Sequence, residues 1–203
     1  MVAINGWPGY RAHDLAGLAL ATVDGGAVDG SWPRVDGMSH PAARPLAAPH
    51  PDDPGLLIGT LADLDRAEEL DVEAVMSLCR IGKDQVAPGR VPSDRHAHLW
   101  LIDSEDADDN PNLYAVLTGA ALLARRWRAE GRRVLVHCVA AERRAPSVAL
   151  VYAGALGADI DEADRRIQDL HPRVHARGLL WEAAKEVARR LQRDRLSDLD
   201  GTV

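Results

Sequence analysis

The run Val134-Leu135-Val136-His137, followed at once by Cys138 and a helix led by Pro146, limits what this chain can fold into more than any other stretch. Three branched apolar residues ending in a polar pair suit a short buried strand. Pro146 is well placed in the first turn of a helix, where its missing N–H costs nothing, and Gly157 marks that helix's end after Leu156. A strand that turns into a helix within a few residues must return to the sheet by a crossover, which favours parallel pairing.

The rest of the chain repeats that alternation. Leu56 to Gly59, Glu73 to Cys79 and His96 to Ile102 read as strands; Leu61 to Leu70, Asn112 to Glu130, Asp161 to Leu170 and Gly178 to Gln192 read as helices. Asn112 suits a helix start, and Arg125, Arg126 and Arg128 before Gly131 suit its end. The expected fold class is therefore α/β: a central, mainly parallel sheet of four to five strands flanked by helices. Upstream, Pro, Gly, Ala and Asp crowd residues 21–54 and read as a linker or irregular arm, with one short helix over Arg11 to Thr22 before it. The expected organisation is an arm over residues 1–53, a catalytic domain over 54–196 and a tail over 197–203.

With 203 residues and a net charge of −7, the chain suits one main domain and carries no general footprint for nucleic acid or anionic membrane. Arg125 to Arg133 and Arg189 to Arg195 read as solvated helix ends. The apolar stretches Leu113 to Ala124 and Val148 to Ala158 fall short of the roughly 20 residues a membrane span needs. Trp7, Pro8, Gly9 and Arg11 interrupt the region a signal peptide would keep apolar. Two cysteines, Cys79 and Cys138, suit a reducing compartment, so a cytoplasmic location is expected. His96, His98, His171 and His175 lack zinc-ligand spacing, and no metal or cofactor is expected.

Cys138-Val139-Ala140-Ala141-Glu142-Arg143-Arg144 reads as an anion cradle. A loop passing from strand end to helix start turns successive N–H groups inward, and the helix dipole adds positive potential. Those donors and the Arg144 guanidinium favour a thiolate at Cys138, the reactive form of the side chain. Arg144 offers a planar fork for two phosphate oxygens.

His137-Cys138, five residues, then Arg144 at the mouth of a helix resembles the signature loop of the protein tyrosine phosphatase superfamily. Gly55-Leu56-Leu57-Ile58-Gly59-Thr60-Leu61-Ala62-Asp63 resembles the opening strand of its dual-specificity members. The resemblance covers residues 54–192. It implies metal-free phosphomonoester hydrolysis through a phosphocysteine, with a phosphorylated protein or small phosphomonoester as substrate. It also implies phosphate binding by residues 139–144, with His137 and Ser147 in support, and a general acid on the loop after the third strand. Asp106, 32 residues before Cys138 (138 − 106), fits the family spacing, with Asp103 as its rival among Asp103, Asp106, Asp108 and Asp109. Cys79 resembles the second cysteine that some members pair with the nucleophile under oxidation.

Three departures bear on turnover. Ala141 stands where the family usually has glycine, and Ala145 where it has a hydroxyl that helps the cysteine leave, a part Ser147 or water would have to take. Glu142 brings a carboxylate into an anion loop and is expected to point outward, toward Arg143 or His137. These departures keep a second reading open, a pseudophosphatase that binds phosphorylated partners with little turnover. Rhodanese-type sulfur transfer is disfavoured by the Cys-to-Arg spacing. Residues 6–15 faintly resemble the closing segment of ADP-ribosylglycohydrolase-like domains without their acidic metal ligands.

Overall fold

Alternating apolar side chains build both faces of the sheet. The computed structural model describes residues 44–81, 91–170 and 172–200, which fall in one compact unit, Ala43–Val203. The expected helix over Arg11 to Thr22, the segment resembling ADP-ribosylglycohydrolase-like domains, and His171 lie outside the described residues. The strands are β1 (Ala48–His50), β2 (Asp53–Gly59), β3 (Ala74–Ser77), β4 (His96–His98) and β5 (Val134–His137). They form a sheet in the order β1-β2-β5-β3-β4. β2, β5, β3 and β4 run parallel, and β1 lies antiparallel on the edge. The expected mainly parallel α/β sheet is observed.

The helices are α1 (Leu113–Ala129), α2 (Arg144–Leu156), α3 (Ile160–Asp169) and α4 (Leu179–Asp200). Leu56 and Ile58 of β2, Ala74 and Met76 of β3, and Val134 and Val136 of β5 pack on them. The intervening Leu57, Val75 and Leu135 point to the other face, against Leu64, Ala67, Val72 and Val91. This is the period-2 alternation of a strand, with both faces covered. α2 is buried at every residue from Ala145 to Ala155, so it is apolar all round. It is the central helix of the layer. It crosses α4 where a side chain at Gly154 would strike the backbone of Ala188, which explains a glycine in mid-helix.

Three expectations need correction. The helix read over Leu61 to Leu70 is a single 3-10 turn, Leu61–Asp63, followed by turns. Its bonds run mostly three residues back, and the buried Asp63 carboxylate accepts from the Thr60 N–H (2.8 Å) and the Leu46 N–H (3.0 Å). That pull fixes the turn and leaves the leucines free to cap the second face. The strand read through Ile102 stops at His98, because its partner β3 ends opposite it at Ser77. The irregular reading of residues 21–54 fails over residues 48–50, where β1 pairs with β2 and His50 is buried with Nε2 3.0 Å from the Ala149 carbonyl. Pro49 and Pro51 mask that strand in the sequence; an edge strand tolerates proline because one row of its N–H groups has no ladder partner.

Candidate functional site

β5 delivers Cys138 to the carboxyl edge of the sheet, where the residue is 2% exposed and its N–H donates to the Gly59 carbonyl at 3.3 Å. The loop beyond is strapped on two sides. The Leu61 N–H donates to the Val139 carbonyl (3.2 Å) and the His175 N–H to the Glu142 carbonyl (2.8 Å). The turn passes through Ala141 at φ 55 and closes where the Ser147 N–H reaches the Arg143 carbonyl (2.9 Å). Among the described residues, the N–H groups of Val139, Ala140, Ala141, Glu142, Arg143 and Arg144 have no acceptor. A run of such amides at the positive end of a buried helix is what an anion site requires.

Arg144 closes the same edge. Its Nη1 donates to the carbonyls of Leu78 (3.1 Å) and Leu101 (3.4 Å), just past β3 and β4. Its buried Nε has no hydrogen-bond partner; Asp103 Oδ2 lies 3.8 Å away, beyond bonding distance. The Glu142 carboxylate is engaged by Arg173 at 2.9 Å, not by Arg143 or His137 as expected. Arg143 faces the acidic loop, with Nη1 2.5 Å from Glu105 and 3.7 Å from Asp103.

The two aspartates part company here. Asp103 lies within 4 Å of both loop arginines. Asp106 is exposed and caps a 3-10 turn, Ala107–Asp109, by accepting from the Asp108 N–H at 3.0 Å. The base of the acidic loop is clasped by Asn110, a residue that sequence reasoning missed. Its side chain accepts from the Ile102 N–H and donates to the Ile102 carbonyl, both at 2.9 Å, as a strand partner would. An asparagine seven residues beyond Asp103 gives no sequence signal for such a clasp.

Beneath the loop, His137 Nε2 lies 2.7 Å from Ser77 Oγ, which also meets His96 Nε2 at 2.8 Å. Burial depresses both imidazoles to a pKa of about 4. Cys79 is a free thiol, pushed up to about 11 by burial, against which the nearby Arg144 charge works. Ala145 is fully buried, and the Ser147 hydroxyl is buried without a partner. Trp100, 70% exposed, stands beside Arg80, whose guanidinium lies 5.5 Å from the ring centre. Among the described residues no cluster of His, Cys, Asp or Glu is arranged to hold a metal ion. No helix among them is long and apolar enough to cross a membrane.

No family model matches the sequence, and no curated protein is similar to it. Solved structures do match. Human DUSP28 superposes with a TM-score of 0.57 at 17% identity, over 72% of this chain and 99% of its own. PTPMT1, solved in complex with PI(5)P, gives 0.55 at 20% identity, over 69% of this chain and 94% of its own. The human tyrosine phosphatase-like serine/threonine/tyrosine-interacting protein gives 0.55 at 15% identity, over 68% and 93%. At such low identity the likeness speaks for the backbone alone: this chain has the α/β fold seen in these phosphatase structures.

Proposed function

We propose that the protein hydrolyses phosphomonoesters, as a protein tyrosine or dual-specificity phosphatase, with Cys138 as nucleophile and Asp103 as general acid. The observation that carries this reading is the run of unpaired amides from Val139 to Arg144, closing on Cys138 with Arg144 anchored above. Those amides and the guanidinium take the equatorial oxygens of the phosphoryl group and the charge that develops on them. The Cys138 thiolate attacks phosphorus in line. The P–S bond forms as the P–O bond to the leaving group breaks, and Asp103 gives its proton to the departing oxygen. The resulting carboxylate then takes a proton from water whose oxygen attacks phosphorus; the P–S bond breaks, and thiolate and inorganic phosphate are released.

Asp103 is favoured over Asp106 because it lies 3.8 Å from Arg144, whereas Asp106 is committed to its turn. Two free thiols support a reducing, cytoplasmic setting. The test is a panel of phosphopeptides, phosphoinositides and an aryl phosphate with the wild-type protein and Cys138→Ser. Full activity of the serine variant would refute the mechanism.

Ala145 supports the second reading, in which the protein binds phosphorylated partners and turns over little. Ala145 is a fully buried methyl group at the position where the family resemblance implies a hydroxyl that helps the cysteine leave. Single-turnover trapping separates the readings. A phosphocysteine that forms and decays supports hydrolysis, one that persists supports slow release, and none with any ester supports binding.

A further inference from the structure

Glu105 touches two segments that are remote from it in sequence, the anion loop and the start of α4. Its Oε1 accepts from Arg143 Nη1 of the anion loop at 2.5 Å, and its Oε2 accepts from the Leu179 N–H, the first amide of α4, at 2.7 Å. Just before that amide stands Gly178, at φ 83, where any side chain would run into the Glu105 carboxylate. The seat is thus bounded by the anion loop on one side and the start of α4 on the other. A helix start offers unsatisfied N–H groups and positive potential, and a carboxylate suits both. The Leu179 N–H and Arg143 hold the Glu105 carboxyl below the usual carboxylate range.

Arg143 is also 3.7 Å from Asp103, so the two acids share one guanidinium, with Glu105 the nearer. If Glu105 were removed, Arg143 would be free to pair with Asp103 and draw its carboxyl group away from the leaving-group side. We propose, resting on the phosphatase reading, that Glu105 is a positioning residue. It latches the acidic loop to the anion loop and α4, occupies Arg143, and so keeps Asp103 available on the leaving-group side.

The experiment compares wild type with Glu105→Ala and Glu105→Gln on aryl phosphates of graded phenol acidity and on a phosphoserine peptide. A latch for a proton donor matters only where the leaving oxygen needs a proton. Expected are values of kcat/KM within about 2-fold of wild type for the most acidic phenol, and losses of about 10-fold or more for the phosphoserine peptide, part of the range acid catalysis supplies. An equal loss across the series would overturn the proposal. Hydrogen exchange supplies the readout that needs no turnover. Amides of residues 102–110 should exchange faster in both Glu105 variants and in Gly178→Ala, while α1 stays unchanged; unaltered exchange would overturn the latch. A wild-type protein that forms no phosphocysteine would remove the phosphatase reading, and the exchange result would still decide whether the latch exists.

Discussion

The two loops that meet at Arg144 are held in opposite ways. The anion loop leaves a buried strand, is strapped by backbone bonds from Leu61 and His175, and enters a helix buried along nearly its whole length. The acidic loop is mostly exposed, clasped by the Asn110 side chain at its base and by Glu105 at its tip. Bonds to an exposed carboxylate contribute little each, because water screens them. The contrast matches what the proposed phosphatase reading asks of the two loops. Stabilising charge on a phosphoryl group needs donors that do not move, whereas a proton donor has only to arrive. Loss of the thiol or the guanidinium of the first loop should therefore cost activity on every substrate, and changes in the second should grade it with the leaving group.

The largest effect is expected at Cys138. Replacing the thiol by a hydroxyl, Cys138→Ser, should lower kcat by about 10^4-fold or more, since an unactivated hydroxyl is a poor nucleophile. Arg144→Lys should follow at about 10^2-fold or more, because an ammonium cannot reproduce the planar fork or hold both the Leu78 and Leu101 carbonyls in the same geometry. Steady-state rates on one aryl phosphate measure both. A lysine variant near wild-type activity would show that the anion loop does not depend on its guanidinium.

Asp103→Asn and Asp106→Asn break the comparison from the other side. Loss of the general acid should cost about 10^2-fold on a poor leaving group and far less on a good one. Asp106→Asn should change kcat less than about 3-fold, since an asparagine oxygen still accepts from the Asp108 N–H. The reverse ranking would return the role to Asp106.

The same contrast explains what could be read from the sequence. The anion loop was legible because its chemistry is local: strand, thiol, turn, arginine and Pro-led helix follow one another, and β5 is observed as expected. The acidic loop was not, because four aspartates within seven residues look alike until the fold brings one of them near Arg143 and Arg144. Spacing pointed first to Asp106. Glu105 and Gly178 act through contacts with residues far along the chain, Asn110 through a clasp on Ile102 eight residues back, and no local pattern announces them. β1 was hidden for a related reason, since its prolines read as loop and only pairing with β2 makes it a strand.

Below the loops, His137 and His96 set a pH limit on the floor of the site. Burial holds both near a pKa of about 4 against an ordinary value of 6.5. The unfolded chain takes up protons below about 6.5 that the folded chain refuses until about 4, so stability present above 6.5 is lost as pH falls through that window. The Tm should drop by several degrees across it. His137→Gln should lower the Tm at neutral pH, by breaking the bond to Ser77, yet flatten its fall with acid. An unchanged slope would mean that other groups set the acid limit.

The smallest effect lies inside the anion loop, at Ala141. Its φ of 55 is left-handed, and an L side chain there is strained by about 1 kcal/mol or more. Glycine removes that strain, at the cost of greater freedom in the unfolded chain and of the burial of one methyl group. The balance favours Ala141→Gly by less than about 1 kcal/mol, a rise in Tm of about 2 °C for a protein of this size. Ala140→Gly is the matched control, because Ala140 does not have positive φ and glycine there should lower the Tm. If both variants fell together, packing of the Ala141 methyl group would outweigh its backbone strain. The loop's rigidity would then owe more to its apolar contacts than to its straps.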